Sequence, residues 1–406
     1  MAIQLCLDVF GRINQDRFKD LLRTHHLPVS GTKLELKNRV LSAIENNCGT
    51  PGLSIEKFDK FIANEIAHGK NRTLFVSAFS HTVANQIKNL QYVKSCLLEN
   101  KLPTENFNSL REQIDLDKDF VLLYLNIANN DQVVDKIEMC FAKGTTVELS
   151  NDDGENIVPQ RQVEYVWVDV LPCEEKMIIK LWNRQGSYFE MMANAKLLYD
   201  EISSLVREIF SLVAKNILDT KNILYKMFKD LTETAEKPFR DKVLQLDSVI
   251  KSFADQCASE LGLPNSENPI NLPQRIARLL ERASIQHDFY TYSKFSAGKR
   301  GVVDKIAFSD LTGANVHARS GDTHEGIAVT DIYFDIRETI SELKSLDKLW
   351  VTWFNVIDDE SDPEKIQIKV EVFKEHYIIH FLYNYKTKEG EELVLSNFKH
   401  YEGVLD

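Results

Sequence analysis

The run Ser30-Gly31-Thr32-Lys33 brings two hydroxyls, a glycine and an ammonium together just ahead of an apolar-periodic stretch. Glu35 follows Thr32 by three residues, the spacing of a capping box, so a helix is expected to begin here. A helix start presents unbonded N–H groups and the positive end of the peptide dipole. With Lys33 expected to be exposed beside it and Arg39 further along, the run suits an anion such as a phosphate. A second group, His317, Asp322, His324, Glu325 and Asp331, followed by Asp335, gathers imidazoles and carboxylates near a strand. Oxygen ligands of this kind hold magnesium, and the ion would then serve phosphodiester cleavage. The third set lies in His287 to Gly301, where Phe289, Tyr290, Tyr292 and Phe295 interleave with Lys294, Lys299 and Arg300. Arg275, Arg278 and Arg282 precede it. From Arg275 to Lys305 seven bases stand against three acids, a net +4. Aromatic platforms among cations suit single-stranded or distorted nucleic acid.

These groups need elements to position them. Phe18, Leu21 and Leu22 recur at helical spacing, and Leu27-Pro28 ends that helix because the residue before proline leaves the α region. Leu36, Val40 and Ile44 form the apolar stripe of the next helix. The combined pattern is an apolar helix, Leu27-Pro28-x-Ser30-Gly31-x-Lys33, then Leu36 and Arg39-Val40. It resembles a SAP domain, the small helix–extended–helix DNA-binding module of scaffold attachment factors and several DNA-repair and SUMO-ligase proteins. The resemblance covers roughly residues 12 to 46. It implies that Ser30, Gly31, Thr32 and Lys33 sit on the DNA backbone with Arg39 nearby. The family often has glycine just before the Leu-Pro pair, where this chain has His26.

Other motifs are absent. Gly298-Lys299-Arg300-Gly301 lacks the first glycine and the Lys-Ser/Thr ending of a phosphate loop, and neither a nucleophile elbow nor H-E-x-x-H occurs. Gln367-Ile368-Lys369 is similar to the acid-x-Lys step of restriction-type nucleases, with glutamine in place of the acid.

The 406 residues are 43% hydrophobic and 27% charged, a globular composition with room for two or three domains. The six cysteines lie far apart with no C-x-x-C pair, which suggests neither a zinc site nor a disulfide framework. No signal peptide or membrane span is read, and the chain is expected in the cytoplasm, with the nucleoid if bacterial or in the nucleus if eukaryotic. Proteins that coat DNA non-specifically are usually basic, so with a net charge of −12 any DNA contact is expected through a local patch. The charge is polarised: residues 1 to 47 carry a net +2, and Asp358 to Asp406 a net −6, a tail expected to meet a basic protein partner.

The fold expected is α+β and multidomain. A small helical SAP-like module spans 1–47 and an antiparallel-sheet module 55–185. A helical connector spans 186–262 and a C-terminal α+β module 274–406. Within these, helices are expected over Ile55 to Ile66 and Thr82 to Asn100. Strands are expected over Phe120 to Ile127, Val134 to Phe141, Thr145 to Leu149, Val163 to Leu171 and Lys176 to Trp182, with a turn at Asn151 to Gly154. A helix should start at Pro238, and one from Pro273 should turn Ile276, Leu279, Leu280 and Ala283 to one face. The last strands are expected over Ile327 to Ile336, Leu349 to Ile357, Lys365 to Phe373, Tyr377 to Tyr385 and Glu392 to Leu395, interrupted by a short helix near Ile336 to Ser345. The stripe of helices over 191–262 is expected to be packed core, with a homo-oligomer surface as the alternative.

The leading functional expectation is a DNA-binding adaptor or structural subunit without a cofactor. Abundant Asn, Lys and Ile point to an AT-rich genome, and so to bacterial or mobile-element antiviral defence or DNA maintenance. The alternatives are a magnesium-dependent nuclease at 317–335 and a protein-interaction platform that binds no DNA.

Overall fold

The computed structural model describes residues 5–69, 72–113, 119–150, 157–182, 188–215, 220–263, 271–288, 300–309, 313–319, 327, 331–355, 364–382 and 388–403. The chain mixes helices with a large antiparallel sheet. Its strands are β1 Arg72–Phe79, β2 Phe107–Asn108, β3 Val121–Asn130, β4 Val133–Ser150, β5 Ile157–Leu171, β6 Lys176–Trp182, β7 Ala214–Lys215, β8 Gly301–Ser309, β9 Asn315–Arg319, β10 Lys348–Asn355, β11 Glu364–Val372 and β12 His376–Leu382. Contacts divide it into two compact units, Met1–Leu218 with Val370–Leu395, and Asp219–Lys369 with Ser396–Asp406.

In the first unit the strands run β2-β3-β4-β5-β6-β1-β12, and β7 also pairs with β1. Asp131 and Gln132 both have positive φ, the two-residue turn that matches strand twist between β3 and β4. One sheet face, with Met139, Val166, Val168, Ile179 and Phe75, packs on helices His81–Ile87, Leu90–Glu99 and Tyr188–Phe210. The other face, with Cys140, Ala142, Val163, Tyr165 and Trp167, packs on the N-terminal helices. Phe18, Leu22, Leu36 and Val40 belong to that second core, as do Phe58 and Ile62 of helix Ile55–His68. The head therefore buries its apolar stripe against the sheet and shares its core. Each such side chain contributes about 1.5–3 kcal/mol.

A charged chain crosses this second face. Lys180 Nζ lies 2.9 Å from Asp169 and 2.6 Å from Glu391, all three buried. Lys136 reaches Asp169 at 3.3 Å, Trp167 Nε1 donates to Asp169 at 2.9 Å, and His68 Nδ1 meets Glu391 at 3.0 Å.

In the second unit the strand order is β11-β10-β8-β9. Among the described residues its helices include Thr220–Leu244, Asp247–Glu260, Leu272–His287 and Asp331–Leu343. Thr220–Leu244, Leu272–His287 and Asp331–Leu343 meet at an ionic knot: Glu236, fully buried, accepts from Tyr333 and pairs with Arg337 at 3.0 Å and Arg240 at 3.1 Å. Glu281 joins Arg337 at 3.4 Å and Arg240 at 3.5 Å.

Several expectations are corrected. β4 is one strand where two were expected, and Thr82 to Asn100 is two helices. Pro238 lies inside helix Thr220–Leu244, and the break falls just before Asp247. The strand expected over Ile327 to Ile336 is largely helix Asp331–Leu343, whose buried Tyr333 and Ile340 lie seven residues apart, two helical turns. Glu392 to Leu395 is part of helix Lys388–Glu402, with Val394, Phe398 and Tyr401 buried at i, i+4 and i+7. Helix Leu272–His287 buries Pro273, Glu281 and Ile285, leaving Leu279 and Leu280 exposed, because the ionic knot draws in the Glu281 side. The turn at Asn151 to Gly154 lies outside the described residues.

Candidate nucleic-acid interface

The head is built much as its spacing implies. The helix Lys33–Glu45 starts at a complete capping box, with Thr32 accepting from the Glu35 backbone and the Glu35 carboxylate accepting from Thr32. Gly31 has φ +122°, and a Cβ there would come within 2.7 Å of the Glu35 carboxylate, so the turn requires glycine. His26 has φ +53°, the left-handed conformation that suits glycine.

The charges are arranged less openly than expected. Ser30, Gly31 and Thr32 are exposed, but Lys33 is half-buried. Its Nζ lies 4.6 Å from the Phe10 ring centre and donates to the Gly11 carbonyl at 3.3 Å, and burial lowers its pKa. Lys37 lies over the same ring at 4.8 Å. Arg39 donates from one guanidinium nitrogen to the carbonyls of Pro28 at 2.7 Å and Ser30 at 2.8 Å, which holds the turn together. The Glu35 carboxyl, held below its usual range by its bonds to Thr32, sits at the helix start where a phosphate was expected.

The other expected sites are only partly in view. His317 is exposed on β9, and Asp331 begins a helix; Asp322, His324 and Glu325 lie outside the described residues. Among the described residues no group of three His, Cys, Asp or Glu is placed to hold a metal ion. Tyr292, Lys294 and Lys299 also lie outside them. Arg275 is exposed and Arg278 half-buried on helix Leu272–His287, Arg282 packs over Phe334 at 5.6 Å, and Arg300 is exposed at the edge of β8.

A different cationic surface emerges on the sheet of the second unit. Trp350 of β10 stands opposite Lys305 of β8, and Lys305 stands opposite Arg319 of β9. Lys348, two residues before Trp350, shares its face. Lys305 Nζ lies 4.5 Å from the Trp350 ring centre, and buried Lys369 of β11 lies 5.3 Å away. Lys305, Lys348 and Trp350 are half-buried and Arg319 is exposed. Burial lowers the Lys305 pKa, and the like charges of Arg319, Lys369 and Lys348 lower it further.

A β-bulge shapes this face. Trp350 pairs with Lys305 and Val351 with Val303, so Asp304 is the extra residue. Its carboxylate accepts from Thr352 Oγ1 at 2.7 Å and Gln367 Nε2 at 3.0 Å. The Gln367-x-Lys369 step thus lies beside an acid that its own sequence lacks. Sequence reading included Lys305 only as the end of a basic stretch and missed Trp350, Lys348 and Arg319. Their signal was the alternation Lys348-x-Trp350.

No protein-family model and no curated protein matches this chain. Among the described residues no helix is long and apolar enough to cross a membrane.

Proposed function

We propose that this protein is a DNA-binding adaptor whose main contact is the sheet face around Trp350, with the SAP-like head as a secondary contact. The observation that carries the reading is the placing of Lys305 and Lys369 at one aromatic ring, with Lys348 on the same strand face and Arg319 opposite Lys305. Lys305 feels the like charges of Arg319, Lys369 and Lys348, which an anion offsets, and phosphate contacts supply most non-specific affinity. The head contributes less, because Arg39 is spent on its own turn and Glu35 holds the helix start.

The test is fluorescence anisotropy of the full chain with labelled DNA at several salt concentrations. Neutralising about three phosphates of a single strand gives a log–log slope near −2, roughly twenty-fold weaker binding between 50 and 200 mM salt. Lys305→Glu with Arg319→Glu should remove most of the affinity and leave the weaker contribution of the head. Unchanged affinity of that variant on single- and double-stranded DNA alike would return the face to a purely structural role.

A second reading is a metal-dependent nuclease. The contact between Asp304 and Gln367, with Lys369 two residues on, favours it, and the centre moves from 317–335 to this bulge. Cleavage in magnesium that disappears in chelator and in Asp304→Asn would install this reading in place of the adaptor.

A further inference from the structure

We infer that the Trp350 face is a single-strand reader, in which a base stacks on the indole while Lys305 swings from the ring onto a phosphate. This rests on the reading of that face as a nucleic-acid contact and adds which form of nucleic acid it takes.

Order across the sheet is the first argument. Arg319, Lys305, Trp350 and Lys369 come from β9, β8, β10 and β11, which are successive neighbours. Strands about 4.8 Å apart make this a row about 14 Å long, running across the strands. Its aromatic lies inside the row, with half-buried Lys305 and exposed Arg319 on one side and buried Lys369 on the other. An extended single strand alternates phosphate and base in the same way. A duplex hides its base faces in the stack and offers only phosphates to an open sheet surface, leaving the indole without a role.

What now covers the ring is the second argument. Lys305 Nζ sits over the indole at 4.5 Å, so a charged group approaches this aromatic face instead of closed apolar packing. A cation–π contact at a partly exposed site is weak, about 0.5–1 kcal/mol. A phosphate outcompetes it, because a charge-assisted bond relieves the repulsion that Arg319, Lys348 and Lys369 impose on Lys305. Once the Lys305 ammonium leaves, an unpaired base can take its place on the ring, with Lys369 still 5.3 Å from the ring centre. The ring and the lysine thus act as one exchange: phosphate takes the cation and base takes the ring.

The experiment compares oligodeoxythymidine with a blunt hairpin duplex of equal charge, titrated by anisotropy against the full chain and three variants. Trp350→Leu should lose about ten-fold or more on the single strand, the scale of one stacked base, with little change on the duplex. Trp350→Phe should restore most of that loss. Lys305→Gln should keep the single-strand preference while its salt slope becomes shallower by about 0.7. Far-ultraviolet circular dichroism and thermal melts of the variants exclude unfolding as the cause. Equal binding of both probes, unmoved by Trp350→Leu, would overturn the single-strand inference and leave the DNA-binding reading standing. Binding of neither probe would remove both.

Discussion

Lys180→Met tests whether the buried charged chain of the first unit is a structural clamp. Lys180 is 1% exposed and its two carboxylate partners 4%, so water cannot replace the lost cation. Removing one partner of a buried ion pair costs about 3–5 kcal/mol. Two carboxylates are stranded here, which pushes toward the upper end. Lys136 and Trp167 still hold Asp169, and His68 still holds Glu391, which pulls back, so a loss of about 4 kcal/mol is expected. Lys180→Met combined with Asp169→Asn and Glu391→Gln removes the charges while leaving acceptors for Trp167 and His68. That triple variant should lose only about 1–2 kcal/mol, since neutral replacement of a whole buried pair is often tolerated. Hydrogen exchange of the β5 and β6 amides reads the first unit directly, and the single variant should exchange roughly a thousand-fold faster in those strands. A single variant within about 1 kcal/mol of the parent, or a triple variant as unstable as the single, would refute the reasoning.

Acid should act on the same clamp. Burial favours the neutral acid at Glu391, but Lys180 and His68 override it and hold the carboxyl at about 2, against an ordinary 4.5. Its contribution, about 3 kcal/mol, is whole above that ordinary value and is lost as pH falls toward 2. Melting temperature should therefore fall more steeply between pH 5 and 3 in the parent than in Glu391→Gln, and parallel curves would contradict this. At the head, Glu35→Gln keeps the cap's shape but removes the anion from the helix start. Duplex affinity should rise about two- to five-fold by anisotropy, from about 0.3–1 kcal/mol of dipole and charge, and a fall would remove the head from the interface. In the second unit, Arg337→Met strands Glu236 and Glu281 and should cost about 3–5 kcal/mol by hydrogen exchange of helix Thr220–Leu244; less than about 1 would mean Arg240 alone holds the knot.

The head's local structure was legible because its signals are local. The Thr32 and Glu35 spacing, the stripe Leu36, Val40 and Ile44, and the bounds of β6 all appear as read. β1 was missed because it is central, with both faces covered: seven of its eight residues are buried and the alternation that marks a strand is erased. The head's attachment to the sheet was illegible for a related reason. An apolar stripe looks the same whether it closes a small domain or docks on a neighbour. The fate of the cations was hidden as well, since Arg39 turns to Pro28 and Ser30 only once the turn exists. At Trp350 the row depends on four strands drawn from residues 301 to 369, and on a bulge at Asp304 that no local pattern announces.

The layout of the first unit carries one more signal that the chain did spell out. Val168-Asp169-Val170 leads through a turn to Ile178-Ile179-Lys180, and Val370-Glu371-Val372 leads to Ile378-Ile379-His380. The second turn is two residues shorter, and in both an acid meets the base of the following strand, Asp169 to Lys180 at 2.9 Å and Glu371 to His380 at 3.3 Å. The strand pairing shows how the two segments are related. β6 and β12 flank β1, and both run antiparallel to it. Lys180 stands beside Leu74, whereas His380 stands beside Thr73, so the matching residues point to opposite sheet faces. Strands of equal direction with swapped faces are related by a half-turn about an axis along β1. The same half-turn explains the helices that follow. Tyr199 of helix Tyr188–Phe210 stacks on Phe75 at 4.6 Å on one face, and Glu391 reaches Lys180 on the other. β1 is thus the axis of an approximate internal symmetry, which accounts for why it is buried from both sides.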